Sequence, residues 1–100
     1  MRIIWSPLAV ERMEEISDYI AHDSPAAAGT WIDAVFHKVG LLSDNPDMGR
    51  IVPEVESASI CELVFGNYRI VYRRAVHSVT VLTVRSFRQI LPVQEITHDP

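Results

Sequence analysis

Residues 59–74, which read SICELVFGNYRIVYRR, decide the fold of this chain. Side chains alternate with a period of two on both sides of Gly66-Asn67, as they do in the two strands of a β-hairpin. Glycine and asparagine tolerate the positive φ that a two-residue hairpin turn requires. We therefore predict strands at 59–65 and 68–74. The second strand then has one face with Tyr68, Ile70 and Tyr72 and another with Arg69, Val71 and Arg73.

Two Ser-Pro pairs, at residues 6–7 and 24–25, predict the starts of two helices. Serine caps the first turn of a helix, and proline is tolerated at its first position because no N–H is needed there. Apolar residues recur at spacings of three and four after each pair. We predict helices from Pro7 to about His22 and from Pro25 to Ser43. Because the connection between them is short, they are expected to form an antiparallel hairpin.

The remaining segments complete an α+β chain. Residues 2–5 and 79–87 are rich in β-branched residues and predict strands, whereas residues 46–58 carry turn residues and predict a surface loop. The tail from Arg88 onward reads as frayed, and we expect flexibility from about residue 93. The order β-α-α-β-β-β predicts a four-stranded, mostly antiparallel sheet with the helical hairpin packed on one face.

Length and composition predict one folded domain over residues 1–100. The chain is 48% hydrophobic with only 4 Gly and 6 Pro, which excludes a disordered or low-complexity protein. The single cysteine, Cys61, excludes a disulfide framework. No run of about 18 apolar residues predicts a membrane helix, and the N-terminus does not read as a signal peptide. We expect a cytoplasmic protein without metal or cofactor.

The candidate catalytic and metal-binding side chains form no recognisable set. Four histidines are scattered along the chain without metal-ligand spacing, and Cys61 lies in a predicted strand with no histidine near it in sequence. The carboxylates of the first helix fit a solvated face better than an acid–base pair. From these residues alone we predict no catalytic constellation. The histidines are His22, His37, His77 and His98.

Charge is unevenly distributed along the chain, although its net value is only -4. Residues 1–62 hold 4 basic and 11 acidic side chains, whereas residues 63–94 hold five arginines and no acid. Clustered guanidinium groups bind phosphates or carboxylates through bidentate hydrogen bonds. The candidate ligands are RNA, DNA or an acidic protein segment, and composition does not choose among them. The five arginines are Arg69, Arg73, Arg74, Arg85 and Arg88.

Four stretches of the chain form a recognisable series. They are W-S-x-x-A at residues 5–9, Y-I at 19–20, P-x-x-G-R-x-V-P-E at 46–54 and ELVFGNYRIVY at 62–72. In this order and spacing they resemble the RelE/ParE superfamily of toxins from bacterial type II toxin–antitoxin systems. The resemblance covers about residues 2–92. It implies a small growth-inhibiting toxin with the same order of elements, neutralised by a tightly bound antitoxin that is encoded beside it.

The resemblance implies one of two targets. RelE-like members are ribosome-dependent mRNA endonucleases, whereas ParE-like members act on DNA gyrase and are not nucleases. The nuclease chemistry needs a base, a proton donor and cations for the charge that develops on the phosphate. Of the residues that the nuclease branch uses, Arg69 is present, but Ile60 and Glu62 stand at the basic places of the preceding strand. Phe87 stands near the C-terminal arginine place, with Arg88 beside it, and no tyrosine follows the hairpin.

The incomplete nuclease set and the net acidity favour the ParE-like branch. We predict a toxin that inhibits gyrase by protein–protein contact and is not an enzyme. Many ParE-like members carry arginine where Cys61 stands here. Two alternatives stay open. One is a RelE-like endonuclease that uses Arg69, Arg85 and Arg88, in which Arg69→Ala abolishes cleavage; the other is a non-toxic antitoxin partner and co-repressor.

The resemblance also implies that a segment of the antitoxin folds as it docks, giving a hetero-oligomer. Its acidic residues are expected to pair with the arginines and its apolar residues to meet the helical hairpin. We expect Trp31 and Phe36 in the core and Tyr19 at an interface. Sequence-specific nucleic-acid binding by the toxin alone and membrane contact are not expected. The candidate antitoxin- or target-binding residues are Tyr19, Arg50, Arg69, Arg73, Arg85, Phe87 and Arg88.

Overall fold

The computed structural model describes residues 1–97, so the predictions for His98 and the last residues of the tail lie outside the described part. No helix among the described residues is long and apolar enough to cross a membrane. The elements, in chain order, are β1 Arg2–Trp5, α1 Pro7–Ala21, α2 Pro25–Gly40, a 3₁₀ turn Leu41–Ser43, β2 Arg50–Ile51, β3 Ile60–Phe65, β4 Tyr68–Arg74, β5 Ser78–Ser86 and α3 Gln94–Thr97.

The strands form one five-stranded mixed sheet in the order β1-β5-β4-β3-β2. β1 runs parallel to β5, and the other neighbours are antiparallel. The prediction of four strands was therefore wrong by one. The additional strand, β2, places Arg50 opposite Glu62 and Ile51 opposite Cys61. Two residues are too few to show a period of two, so this edge strand had no signal in the sequence.

Both helices begin where the Ser-Pro pairs predicted. The Ser6 hydroxyl accepts a hydrogen bond from the Ala9 amide at 3.1 Å, and the Ser24 hydroxyl accepts one from the Ala27 amide at 3.1 Å. Proline occupies the first turn of each helix. The apolar stripes of α1 and α2 pack on the same face of the sheet, which confirms the predicted helical hairpin.

The central hairpin also forms as predicted. Within the described residues, Gly66 is the one glycine with a positive φ, of 58°, at the first turn position between β3 and β4; this is the requirement of a type II′ turn. The short turn fixes the register, so that Phe65 lies opposite Tyr68 and Val64 opposite Arg69. Further along, the β4–β5 pairing shifts by one residue, and Leu82 is the extra residue of a bulge opposite Val71.

The sheet is covered on both faces. A larger core under the helical hairpin includes Leu63, Ile70 and Tyr72 of the sheet. A second core lies on the opposite face, where the loop before β3 and the segment after β5 cover the strands. The prediction of a frayed tail from Arg88 differs from this arrangement, because this segment inserts two apolar side chains. The buried members of the second core are Val52, Ile60, Val71, Leu82, Leu91 and Ile96.

Gly49 lies where the loop passes close to the sheet. The Tyr72 hydroxyl accepts a hydrogen bond from the Gly49 amide at 3.1 Å and donates one to the Pro46 carbonyl at 3.3 Å. Burial of this hydroxyl raises the pKa of Tyr72 to about 12. A β-carbon added at Gly49 would meet the same hydroxyl and would lie 2.6 Å from the Glu62 carbonyl oxygen. The glycine of the P-x-x-G-R stretch is therefore required by packing.

We expect Gly49→Ala to lower the free energy of unfolding by about 1–3 kcal/mol, because overpacked sites must displace their neighbours. Gly29→Ala is the matched control. Gly29 lies in α2 with no atom within 4 Å of an added β-carbon, and alanine is the better helix former by about 1 kcal/mol. Urea unfolding of the two variants should therefore change in opposite directions. Equal stabilities would contradict the close approach at Gly49.

Candidate functional site

Residues 63–94 contain five arginines and no acidic residue, and we call this stretch the acid-free run. The structure brings some of these arginines together, but most of the five form ion pairs with acidic residues from other parts of the chain. Arg69 and Arg85 lie directly opposite each other on β4 and β5. Arg69 is only 5% exposed. Its guanidinium donates two parallel hydrogen bonds to Glu54, at 2.6 and 2.8 Å, and a third to Glu62 at 2.7 Å. Three of its five N–H donors are thus engaged by carboxylates, and the small exposed fraction of the side chain leaves little access for a phosphate.

Glu62 joins this group to the edge of the sheet. Its side chain is fully buried, and its second oxygen accepts a hydrogen bond from Arg50 Nε at 2.7 Å. The hydrogen bonds that Glu54 accepts from Arg69 lower the pKa of Glu54 to about 2. The hydrogen bonds that Arg69 donates to Glu54 and Glu62 raise the pKa of Arg69. Two arginines and two glutamates therefore form a neutral cluster, which we call the Glu62 cluster (Arg50, Glu54, Glu62 and Arg69). Phe87 covers it, with Arg69 Cζ 5.5 Å from the ring centroid.

A second cluster neutralises Arg85. Its guanidinium donates to both oxygens of Glu95, at 3.1 and 2.5 Å, and the Thr83 hydroxyl donates to Glu95 at 2.8 Å. Arg12 of α1 reaches the same carboxylate at 2.8 Å. β1 ends opposite Val81, so beyond Val81 no described strand lies on that edge of β5. The Arg12–Glu95 ion pair can therefore join α1 to α3 there. We call this group the Glu95 cluster (Arg12, Thr83, Arg85 and Glu95).

The two clusters predict a loss of stability in acid. Burial alone would raise the pKa of Glu95, but hydrogen bonds from Arg85, Arg12 and Thr83 outweigh it and lower the pKa to about 2. Glu54 also has a folded-state pKa of about 2, against an ordinary value of 4.5. Because the folded values are the lower ones, the stability that these carboxylates contribute is present above pH 4.5 and is lost as the pH falls toward 2.

Urea unfolding at pH 7 and pH 3 checks this expectation with Glu95→Gln as the comparison. The variant removes the charge at Glu95, so it should be less stable than the wild type at pH 7 and differ much less at pH 3. Salt screening is weak at this site because the carboxylate is mostly buried. A stability difference that is the same at both pH values would contradict the assignment.

Other predicted site residues lie elsewhere. Arg73 lies opposite Thr80, near the end of β4 that is away from Arg85. Arg74 pairs with Asp47 of the loop at 2.7 Å. Phe36, expected in the core, is 48% exposed on the outer side of α2, whereas Trp31 is partly buried against Tyr68.

Three predicted residues meet at one cleft. Tyr19, Arg85 and Arg88 line a cavity of about 420 Å³ between α1 and the end of β4 and β5. Tyr19 is 74% exposed, and the Arg88 side chain makes no ion pair with any described residue. The apolar floor is formed by Ile16, Val84 and part of Tyr68. Among the described residues, the cleft thus presents an arginine without an ion pair and an exposed aromatic ring above an apolar floor, with Glu15, paired with Arg12, at its side.

This cleft has the composition of a contact surface. No histidine or cysteine is among the described side chains that line it. Exposed tyrosine and arginine at the rim of an apolar depression are the residue types that dominate binding energy at protein interfaces. In the described part of the chain, no cluster of three or more histidine, cysteine, aspartate or glutamate side chains could hold a metal ion.

Sequence reasoning missed the acidic partners of the arginines, although a signal was present. The acid-free run is bounded by Glu62 on one side and Glu95 on the other. These two glutamates pair with the arginines of the sheet: Glu62 on β3 pairs with Arg69, and Glu95 on α3 pairs with Arg85. A two-residue turn also fixes the hairpin register, which places Glu62 one step diagonally from Arg69 on the same face.

The fold agrees with the comparisons with known proteins. Residues 3–91 match the family described as the ParE toxin of type II toxin–antitoxin system, parDE. A solved structure, the chromosomal ParDE TA system from P. aeruginosa, matches with a TM-score of 0.72 and 19% identity, covering 86% of this chain and 95% of that chain. No curated protein sequence matches. The family match defines a toxin of a type II toxin–antitoxin system. The chain belongs to the ParE toxin family, as the resemblance predicted.

Proposed function

We propose that this ParE-family toxin, when it is free of its antitoxin, inhibits DNA gyrase by protein–protein contact in the cytoplasm and does not cleave RNA. The observation that carries the proposal is the burial of Arg69 in the Glu62 cluster. Arg69 occupies the position that the nuclease branch of the superfamily uses for substrate. Here its guanidinium is taken up by Glu54 and Glu62 at 2.6–2.8 Å.

The energetics of that cluster oppose phosphate binding. To reach a substrate phosphate, Arg69 would have to leave Glu62, whose side chain is fully buried. Glu62 would then keep only Arg50 as a partner, and breaking a buried ion pair from one side costs several kcal/mol. A phosphate brought near the cluster would also face the charges of two glutamates. The mRNA endonuclease alternative therefore has no cation ready for use at this position.

The cleft lined by Tyr19, Arg85 and Arg88 is the proposed contact surface for the target. Arg88 is the residue available for an acidic group, because Arg85 is already bound to Glu95. Tyr19 offers the exposed aromatic ring. Arg85 then acts by shaping the floor and positioning the segment that carries Arg88.

The antitoxin is the second partner, and the toxin–antitoxin pair forms a hetero-oligomer. We propose that a segment of the antitoxin folds on docking to this toxin. Arg50, Arg69 and Arg85 contribute little charge to that contact, because each is paired within the chain. Apolar surface on the toxin then supplies most of the docking energy.

Two assays test the target. Purified toxin should inhibit supercoiling by gyrase at stoichiometric ratios and should leave mRNA intact on translating ribosomes. Cleavage of mRNA without an effect on supercoiling would overturn the proposal. Absence of both effects, with wild-type growth when the toxin is expressed without antitoxin, would instead favour the non-toxic co-repressor.

Two variants test the cleft. Tyr19→Ala and Arg88→Glu should each weaken gyrase inhibition by about tenfold or more, as loss of an interface anchor does. Arg2→Glu is the matched charge reversal, because Arg2 is exposed at the start of β1, opposite Ser78, and does not line the cleft. Inhibition that falls equally in Arg2→Glu and Arg88→Glu would assign the effect to overall charge and would contradict a role for the cleft.

A further inference from the structure

The first strand leaves one edge of the sheet without a neighbour. β1 is the end strand in the order β1-β5-β4-β3-β2, and no described strand lies on its outer side. The amides of Arg2 and Ser6 donate to carbonyl oxygens in and just before β5, each at 3.1 Å. Because backbone groups alternate in direction along a strand, the N–H and C=O groups of Ile3 and Trp5 point away from β5. We call this outer side of Arg2–Trp5 the β1 edge.

Nothing within β1 blocks pairing at the β1 edge. Edge strands are often protected by proline, by a bulge or by charged side chains. β1 has the sequence RIIW and pairs with β5 in an unbroken register. Ile3 and Trp5 pack toward the helices, whereas Ile4 is half-buried and belongs to neither core. Among the described residues, no backbone hydrogen bond joins Ile3 or Trp5 to an element outside the sheet.

The outward groups of the β1 edge are self-complementary in one antiparallel register. Two residues of an antiparallel pair exchange both of their hydrogen bonds when their backbone groups point toward each other. If Ile3 lies opposite Trp5 of a second copy, Trp5 lies opposite Ile3 of that copy as well, and both pairs are of this kind. Ile4 then meets its own counterpart on the two-fold axis. The same surface serves both copies, as a closed dimer requires.

Charges at the two ends of the β1 edge are opposite in sign. Arg2 stands at its start, and Glu11 lies in α1 shortly after its end. Both side chains are exposed, and neither makes an ion pair with any residue in the range 1–97. Antiparallel pairing brings Arg2 of each copy toward Glu11 of the other. The two Arg2 residues stay apart, with Cα atoms about 14 Å from each other at about 3.4 Å per residue.

We propose that the free toxin forms a two-fold symmetric dimer through the β1 edge, which joins two five-stranded sheets into one continuous sheet. Dimerisation of this kind depends on neither the target nor the antitoxin. Backbone hydrogen bonds set the register, and the cross-strand pairs of Ile3 with Trp5 add apolar contact. Phe36 lies on Trp5 with ring centroids 4.7 Å apart and is 48% exposed, so it extends the apolar surface beside the edge. Because the strand is short, the contact belongs to the small interfaces and the dimer dissociates on dilution.

Side chains favour a second copy over an unrelated extended chain as the occupant. Any strand can form the backbone hydrogen bonds, but a second copy also forms the apolar cross-strand pairs and matches Arg2 with Glu11 at both ends. The dimer leaves both clefts open, because β1 ends opposite Val81 and the cleft lies further along β5. Each dimer would therefore present two clefts to the target.

Disulfide cross-linking tests the register. All cross-linking variants carry Cys61→Ala, so that the introduced thiol is the only one. In the proposed dimer the two Ile4 residues form a non-hydrogen-bonded pair with Cα atoms about 4.5 Å apart, which lies within the range of about 4.4–6.8 Å found in disulfides. Under mild oxidation, Ile4→Cys should form a linked dimer at least about tenfold faster than Arg2→Cys, whose Cα atoms are about 14 Å apart.

Arg2→Cys is a stringent control for this comparison. Arg2 is exposed whereas Ile4 is half-buried, so cross-linking by random collision would favour Arg2→Cys. Equal rates for the two variants, or a faster rate for Arg2→Cys, would overturn the proposed register.

A charge exchange tests the contact without a cross-link. Sedimentation equilibrium of the wild-type toxin in low salt should show dimers at about 100 μM, as expected of a small interface. Arg2→Glu and Glu11→Arg should each weaken dimerisation by about fivefold or more, because a two-fold contact contains the ion pair twice. The double variant Arg2→Glu/Glu11→Arg should restore it. A wild-type toxin that remains monomeric, or a double variant as weak as the single ones, would overturn the proposal.

The apolar part of the contact has its own matched pair of variants. Phe36→Glu should weaken dimerisation by about tenfold or more, as loss of an exposed aromatic anchor does. Ile90→Glu introduces the same charge at a residue that is 94% exposed and lies after β5, and it should leave dimerisation unchanged. Thermal unfolding verifies that each variant is folded. Dimerisation that survives Phe36→Glu, or that falls equally in Ile90→Glu, would contradict a contact beside the β1 edge.

Discussion

Replacing Arg69 by methionine is expected to lower the free energy of unfolding by about 3 kcal/mol or more. The substitution leaves Glu62 with only one partner, Arg50, whose side chain is 57% exposed. Breaking a buried ion pair from one side typically costs about 3–5 kcal/mol, because an uncompensated charge stays in the interior. For a domain of this size, a loss of 3 kcal/mol lowers the melting temperature by roughly 12–24 °C. Thermal unfolding followed by circular dichroism measures it.

Two companion variants make the result specific. Arg88→Met removes an exposed guanidinium without an ion pair in the described part of the chain, and it should change stability by no more than about 0.5 kcal/mol. The double variant Arg69→Met/Glu62→Leu removes both charges and should recover much of the loss, since apolar replacements of a buried pair are often neutral. A melting temperature for Arg69→Met close to that of the wild type would contradict the Glu62 cluster.

The same cluster changes how the nuclease alternative must be tested. The sequence suggested that Arg69→Ala would remove mRNA cleavage and keep the fold. In the structure Arg69 supports Glu54 and Glu62 across two strands and a loop, so a loss of activity in this variant would report unfolding as readily as lost chemistry. Gyrase and ribosome assays on the wild type, with variants at exposed Tyr19 and Arg88, separate the two functions without this ambiguity.

Local sequence patterns were sufficient to predict the helices and strands whose apolar residues recur with a clear period. The hairpin around Gly66-Asn67 and the two Ser-Pro starts lie where they were predicted, because turn chemistry and capping act between neighbouring residues. The two faces of β4 were also predicted correctly. Ile70 and Tyr72 lie in the core under the helices, and Val71 lies in the second core on the opposite face. Physical effects of short range were therefore readable from the sequence.

Contacts between distant segments were not readable in the same way. Phe36 was expected in the core because its spacing fits the α2 stripe. How much of the α2 surface is covered, however, depends on how the helices and the sheet pack together, and the spacing does not show this. The arginines of the sheet were read as a binding surface because their partners come from outside the run. Glu54 lies in the preceding loop and Glu95 in the following segment. Period and composition contain no information on which loop folds back onto which face.

The C-terminal tail is the clearest case of a contact between distant segments that the sequence did not predict. Its contribution to stability is testable with a matched pair of isoleucines. Ile96 is 1% exposed and belongs to the second core, whereas Ile90 is 94% exposed in the same segment. Ile96→Ala is expected to lower the free energy of unfolding by about 2–4 kcal/mol through lost burial and the cavity left behind. Ile90→Ala should change it by no more than about 0.5 kcal/mol. Urea unfolding compares them directly.

Equal and small effects of the two substitutions would mean that the tail is frayed, as its sequence suggested. If the tail is packed, a further consequence follows for the Glu95 cluster. Ile96 adjoins Glu95 on α3, so weakening its burial should also loosen the carboxylate from Arg12 and Arg85. Ile96→Ala and Glu95→Gln should then be non-additive, because each removes part of the same attachment. The double variant should lose less stability than the sum of the single losses, and the acid sensitivity of Ile96→Ala should be reduced with it.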